Sequence, residues 1–206
     1  MKKFIPLIFI FPILIFSQNK SVQIMDAAEI NSVIISGDEV FKIEIVAADV
    51  DEISITTYSE GEYAQQIGLI KEIKNNTLFL KSEFLDILQG GFDKLSAHKV
   101  FSFQIKLIVP ENINVSVASN IATVIAEGKY ENLQIQLKQG NCEVRKFAGN
   151  ALVNTFTGDI FFEIRKNMRI KASSRNGSIE IPDNMASDTS LKLTSISGNI
   201  KVMKTK

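Results

Sequence analysis

Four heptapeptides in the second half of the chain share one pattern around a glycine: KQGNCEV (138–144), FTGDIFF (156–162), RNGSIEI (175–181) and ISGNIKV (196–202). Apolar residues recur seven and five positions before each glycine, and two and four positions after it. The stretch VSVASNIATVIA (115–126) fits the same frame with Ala122 in the glycine position. The anchors at 122, 140, 158, 177 and 198 are 18, 18, 19 and 21 residues apart, which indicates a structural repeat of short period.

Each copy contains two alternating apolar stretches, and a period of two residues is typical of β-strands. Because one copy cannot bury its own apolar face, successive copies are expected to stack, with equal offsets side by side. The offset two after the anchor should then form one dry inner wall of Val124, Cys142, Ile160, Ile179 and Ile200. We therefore predict an all-β protein in which residues 111–206 form a short parallel β-solenoid of about five coils, with 18–21 residues in each.

The turn positions of the repeat have their own pattern. The residue three positions before the anchor usually carries a hydroxyl group, which favours a corner where side chains form hydrogen bonds with the backbone of the turn. These residues are Ser119, Thr155, Ser174 and Ser195, with Leu137 as the exception. Glycine at the anchor suits a bend with positive φ. Since Ala122 departs from that rule, the first coil is expected to turn differently.

Three apolar residues of the third copy occupy outward or corner positions. They are Leu152, Phe156 and Phe161. Either another segment of the same chain covers them, or they form a surface for a partner. The stretch 84–100, which holds Phe92 and the single histidine His98, is either a connecting loop with apolar residues tucked under it or a functional loop. We take Leu152, Phe156, Phe161, Phe92 and His98 as the candidate partner surface.

The first 18 residues have the layout of a secretory signal peptide, with Lys2 and Lys3 before the apolar run 4–16 and the exit Ser17-Gln18. That run is short for a membrane span, although an uncleaved anchor is the alternative. Without this leader, 21 basic and 23 acidic residues remain, with no basic stripe, which argues against nucleic acid as a partner. The protein is expected to be exported to the periplasm, to the outer-membrane surface or out of the cell, without a transmembrane segment in the mature chain.

Residues 19–110 keep the strand period but lose the repeat. Turns at Gly37-Asp38 and Asn75-Asn76 predict hairpins, and alternation from Phe101 to Val109 predicts a further strand. We expect an antiparallel meander that caps the coil and forms one continuous unit with it.

The usual chemical motifs are missing from the sequence. One histidine and one cysteine exclude the common zinc clusters, and no phosphate-binding loop or nucleophile elbow occurs. Cys142, in the inward ladder, is expected to be a buried small hydrophobe. The acidic residues of the repeat occupy different offsets without an obvious cluster; they are Glu143, Asp159, Glu163, Glu180 and Asp183. No cofactor, metal or catalytic residue is predicted.

The run LIVPENINVSV (107–117), followed by copies ending FTGDIFF, RNGSIEI and ISGNIKV, resembles the bacterial putative-adhesin domain family over about residues 105–203. The resemblance implies a short β-solenoid that is exported or displayed on the envelope, with no catalytic residues to carry over.

The first hypothesis is therefore an exported, non-enzymatic binding module of the cell envelope, with an envelope protein or a glycan as its unidentified partner. A carbohydrate-active enzyme on a β-helix, similar to a polysaccharide lyase, is the alternative, and it requires carboxylates that converge in space beside a groove. An accessory architectural domain of an envelope complex is the third reading.

Overall fold

The computed structural model describes residues 19–61, 64–84, 101–183 and 187–205. These residues form an all-β fold, a single open sheet of 15 strands that mixes parallel and antiparallel pairs. None of the four ranges contains a helix that could cross a membrane. The predicted signal peptide (1–18) lies outside the described residues.

Seven strands come from the first half of the chain and eight from the second. The first group is β1 (Asn19–Asp26), β2 (Ser32–Ser36), β3 (Lys42–Ala48), β4 (Glu52–Gly61), β5 (Ile67–Lys74), β6 (Thr77–Phe84) and β7 (Phe101–Pro110). The second group is β8 (Asn114–Ser119), β9 (Thr123–Gln139), β10 (Cys142–Thr157), β11 (Ile160–Ile164), β12 (Arg169–Ser174), β13 (Ile179–Glu180), β14 (Ser190–Ser197) and β15 (Ile200–Lys204).

The pairs fall into two rows that share the long strands β9 and β10. Row A runs β5-β6-β2-β8-β9-β10-β14-β12, and row B runs β1-β4-β7-β3-β9-β10-β11-β15-β13. The first half of each long strand belongs to row B and the second half to row A, with register shifts in β10 between Arg145 and Asn150. Inward side chains of both rows belong to one hydrophobic cluster, so the core lies between the rows.

Equal offsets of the repeat lie side by side in row B. Val124 pairs with Cys142, which pairs with Ile160. Ile200 follows Ile160, and Ile179 pairs with Ile200 at the end of the row. The fifth copy thus lies between the third and the fourth, so the predicted sequential order of the last two copies is wrong.

Apolar content explains this exchange of places. The inward residues of the fifth copy are all buried, namely Leu191, Leu193, Ile200 and Val202. The corresponding positions of the fourth copy include the small Ala172, and Ile179 and Ile181 are 43% and 38% exposed. An interior position between two neighbours buries more apolar surface than an end position, which favours the more apolar copy there.

Cys142 and Ile160 are each 1% exposed, as predicted, whereas the prediction of a dry Ile179 is wrong. Strand β13 has two residues and pairs only with β15 in the described part of the chain, so nothing packs beyond Ile179. Burial raises the pKa of the Cys142 thiol, because a thiolate there would lose its hydration. Cys142 is therefore a neutral core residue.

The hydroxyl side chains before the anchor bond the turns, as predicted. Ser119 Oγ donates to the Gly37 carbonyl at 2.5 Å, and Ser174 Oγ donates to the Gly198 carbonyl at 2.8 Å. Thr155 and Ser195 both donate to the Gly158 carbonyl, at 3.1 and 3.3 Å. Each of these four hydroxyl groups thereby ties its corner either to itself or to the corner stacked on it.

Glycine is required at the anchor for two reasons, of which the sequence indicated only one. Gly140 and Gly158 have positive φ, at 111° and 147°. Gly177 and Gly198 have no φ in that range, yet a Cβ on either would collide with the carbonyl oxygen of the next corner in the stack. Close stacking of corners therefore selects glycine even where the backbone dihedral does not.

The first half of the chain only partly forms the predicted meander. Antiparallel pairs join β1 to β4, β4 to β7 and β5 to β6, and the predicted turn at Asn75-Asn76 connects β5 to β6 with φ of 50° and 59°. The predicted hairpin at Gly37-Asp38 is wrong, because β2 pairs in parallel with β6 and β8, and β3 pairs in parallel with β7 and β9.

The Gly37 turn is a corner like that of the repeat. The Gly37 amide donates to the Ala118 carbonyl, and the Thr123 amide donates to the Phe41 carbonyl, so this corner stacks on the next one. Alternating apolar residues suit a hairpin and a corner equally well, so the alternation alone does not distinguish the two. The predicted parallel β-solenoid of 111–206 is thus not confirmed, since its strands belong to one sheet that also contains antiparallel strands.

Candidate binding surface

A shallow groove of about 530 Å³ crosses the outward side of row A. Its floor is one register row across four neighbouring strands, in which Ala118 lies beside Gln136, Gln136 beside Asn154, and Asn154 beside Thr194. Parallel pairing spaces these side chains about 4.8 Å apart. Along the groove lie Phe156 and other residues of the same strands, with Asp38 and Lys138 as its charged members.

The polar groups on the floor are available to a ligand. Within the described ranges, the amides of Gln136 and Asn154 and the hydroxyl of Thr194 make no hydrogen bond with another protein group. Gln136 is exposed, and the other two are half-buried. An amide both donates and accepts, so this row offers alternating donors and acceptors without charge.

Phe156 supplies an apolar platform beside this row, because its side chain is 59% exposed. Leu152 lies on the same strand, four residues earlier, and is half-buried between Gln134 and Lys192 on the neighbouring strands. Since alternate residues of a strand point to the same side, Leu152, Asn154 and Phe156 share the outward side of β10.

Phe161 belongs to a different groove, on the outward side of row B, with a volume of about 560 Å³. It is half-buried on β11, between Glu143 of β10 and Lys201 of β15. The candidate partner surface is therefore divided: Leu152 and Phe156 lie on row A, and Phe161 lies on row B. Phe92 and His98 lie outside the described residues, so their part in it stays a prediction.

Three carboxylates that share no offset in the repeat line the row B groove together: Glu143, Asp159 and Glu163. Glu143 forms an ion pair with Arg145, and Asp159 Oδ1 accepts from the Asn199 amide at 2.7 Å. Glu163 Oε2 accepts from the Lys146 amide at 3.4 Å. Each carboxylate thus has a separate local partner, and no group of three metal-ligating side chains occurs among the described residues.

The groove floor on row A was not identified from the sequence, although a signal for it exists. Gln136, Asn154 and Thr194 all stand four residues before their anchor glycines. Ala118 and Ser173 hold that offset in the other two copies, so the whole outward row is small or uncharged. Only the paired strands show that this row is continuous and has Phe156 beside it.

Comparison with known proteins yields a likeness in fold alone. No protein-family model matches this sequence, and no curated protein matches it significantly. The crystal structure of a putative cell adhesion protein from Clostridium sporogenes is similar, with a TM-score of 0.66 at 12% identity, over 92% of this chain and 100% of the other.

This protein and the Clostridium sporogenes protein share their fold. The crystal structure of a putative adhesin from Bacteroides fragilis also matches, with a TM-score of 0.41 at 15% identity, over 91% of this chain and 98% of the other.

Proposed function

We propose that this protein is a non-enzymatic, adhesin-like module that binds an uncharged glycan in the row A groove. The observation that carries this proposal is the exposed ring of Phe156 beside the free polar groups of Gln136, Asn154 and Thr194. A sugar ring has an apolar face and a rim of hydroxyl groups. An aromatic platform next to neutral donors and acceptors complements both features.

The shape of the groove favours an extended ligand. Its floor crosses four strands at a spacing of about 4.8 Å, so equivalent groups repeat along a line perpendicular to the strands. A linear glycan also presents equivalent groups at regular intervals. The fold shared with a protein described as a putative cell adhesion protein is consistent with a binding role.

Export and architecture belong to the same proposal. The leader-like residues 1–18 support secretion to the envelope or beyond it. The parallel pairing of equal offsets supports a solenoid-like stack in 111–206, with the antiparallel strands of 19–110 closing one end.

The test is binding of the purified protein to a panel of immobilised uncharged oligosaccharides. We expect Phe156→Ala to weaken capture at least about fivefold, because the stacked ring contributes apolar contact that alanine lacks. Phe79→Ala is the matched control, since Phe79 is 37% exposed and does not line the groove. It should leave capture unchanged, and both variants should unfold at the wild-type temperature.

Three outcomes would contradict the proposal. Equal loss in both variants would mean that exposed rings bind non-specifically. Capture that depends on Phe161→Ala and not on Phe156→Ala would place the site in the charged row B groove instead. Release of shortened products from an anionic glycan in the presence of calcium would favour the enzyme alternative, with Glu143, Asp159 and Glu163 as the residues to substitute next.

A further inference from the structure

The sheet has four edge strands, each paired with one other strand among the residues described. They are β1 and β13 in row B, and β5 and β12 in row A. An unpaired strand edge exposes backbone donors and acceptors, and proteins usually protect such edges with charge, short length or an irregular strand.

Three of these edges are protected. Strand β13 has two residues, and one of them is the charged Glu180. Strand β12 carries Arg169 and Lys171, and β5 carries Lys71, Glu72 and Lys74. Charged side chains on each of these strands oppose pairing with a further strand.

Strand β1 is the exception. Its interior, 21–25, reads Ser-Val-Gln-Ile-Met and contains no charged residue, proline or glycine. Val22 and Ile24 are 52% and 61% exposed on the outward side, beside Thr56 and Ser54 of β4. A regular, eight-residue edge with an uncharged interior is suited to pair with another strand.

We propose that β1 pairs antiparallel with β1 of a second copy of this chain, about a twofold axis at Gln23. The outward-facing side chains of the strand are self-complementary in that register. Lys20 faces Asp26 of the second copy, and Val22 faces Ile24 of the second copy, each twice. Gln23 faces its own equivalent, as a twofold interface requires. Opposite charges and apolar pairs across neighbouring strands both stabilise a sheet.

The charged ends of β1 are free to make these contacts. Lys20 lies over the Tyr58 ring with its Nζ 5.7 Å from the ring centroid. Asp26 Oδ1 accepts from the Ala28 amide at 2.8 Å, which leaves its other oxygen for an ion pair. Both side chains are exposed, so pairing asks for no rearrangement of the core.

Disulfide trapping tests the register on protein expressed from the full-length chain. Under mild oxidation, we expect Gln23→Cys to give a covalent dimer on a non-reducing gel. Two residues that face each other across antiparallel strands have Cα atoms about 4.5–5.5 Å apart, within the range of a disulfide. Ser21→Cys is the control, because its equivalent in the second copy would be about 13 Å away along the strand. The native Cys142 is buried and does not interfere.

Charge reversal tests the pairing without covalent capture, by sedimentation equilibrium. Lys20→Asp and Asp26→Lys should each raise the dissociation constant of the dimer about tenfold, because two attractive pairs become repulsive. The double variant, Lys20→Asp with Asp26→Lys, should bring it back to near the wild-type value.

Restoration in the double variant together with selective trapping at position 23 would support the proposal. A chain that stays monomeric at every accessible concentration would overturn it. A dimer that is indifferent to all of these substitutions would place the interface elsewhere.

Discussion

At the scale of single residues, the positions most sensitive to substitution are expected in the inward ladder of row B, where the side chains that lie between two neighbours are buried. Ile160 is 1% exposed and lies between Cys142 and Ile200 on the neighbouring strands. Glu180 lies at the end of the same row, where it forms an exposed ion pair with Lys201 at 2.8 Å. The two residues lie in the same row, but a substitution at Ile160 should destabilise the protein strongly and one at Glu180 should not.

We expect Ile160→Asp to lower the free energy of unfolding by about 4 kcal/mol or more, because a carboxylate would be buried without a partner. Glu180→Lys should change it by less than about 1 kcal/mol, the usual range for a surface ion pair. Urea unfolding monitored by circular dichroism measures both. An Ile160→Asp variant with the wild-type free energy of unfolding would show that water reaches this part of row B.

At the scale of the strand and its turn, a side-chain ladder ties successive copies together. Asn141 Oδ1 accepts from the Asp159 amide at 2.9 Å, and Asp159 Oδ1 accepts from the Asn199 amide at 2.7 Å. Asn199 Oδ1 then accepts from the Ser178 amide at 3.0 Å. The residues that follow the anchors at 140, 158 and 198 thus each accept from the next turn, in the order in which the strands pair.

We expect Asp159→Ala to destabilise the protein by about 0.5–1.5 kcal/mol, because the Asn199 amide loses its acceptor. Asp159→Asn is the matched control, since asparagine keeps an acceptor oxygen in the same place and stands at two other rungs of this ladder. It should remain within about 0.5 kcal/mol of the wild type. Equal losses in the two variants would mean that the charge of Asp159, and not the hydrogen bond, stabilises the turn.

At the scale of the whole molecule, the two halves of the sequence share one sheet. Strand β2 lies between β6 and β8, and β3 lies between β7 and β9, so pairs cross the boundary near residue 110. The large buried aromatic residues belong to this shared core as well. The Tyr130 ring stacks on the Phe147 ring. The Tyr130 hydroxyl lies 2.9 Å from the Ile45 carbonyl oxygen and 3.0 Å from that of Glu127, and it donates to one of the two. Burial raises the pKa of this tyrosine.

This arrangement predicts one cooperative unfolding transition for both halves. In urea, the Cys142 thiol should become reactive at the same midpoint at which the β2 amides lose protection from hydrogen exchange. Cys142 is suited as the reporter because it is the only cysteine and is buried. Two separate midpoints would instead support 19–110 and 111–206 as independently folding units.

The sequence alone determined those features that depend on neighbouring residues. The period of two predicted strands, the anchor glycines and the hydroxyl row predicted the corners, and Asn75-Asn76 predicted its hairpin. Burial of Cys142 and Ile160 followed from their place in the ladder. These features are local, because backbone conformation and the choice of inward side are set within a few residues.

Only the tertiary structure decided which strands lie side by side. It exchanged the last two copies, joined β2 and β3 to the stack in parallel, and divided the candidate surface between two grooves. It also aligned Gln136, Asn154 and Thr194 beside Phe156, and left β1 as the edge with an uncharged interior among the described strands. The physical reason is that a strand with a suitable period can pair with any of several partners, and the choice among them follows from how much apolar surface the whole sheet buries.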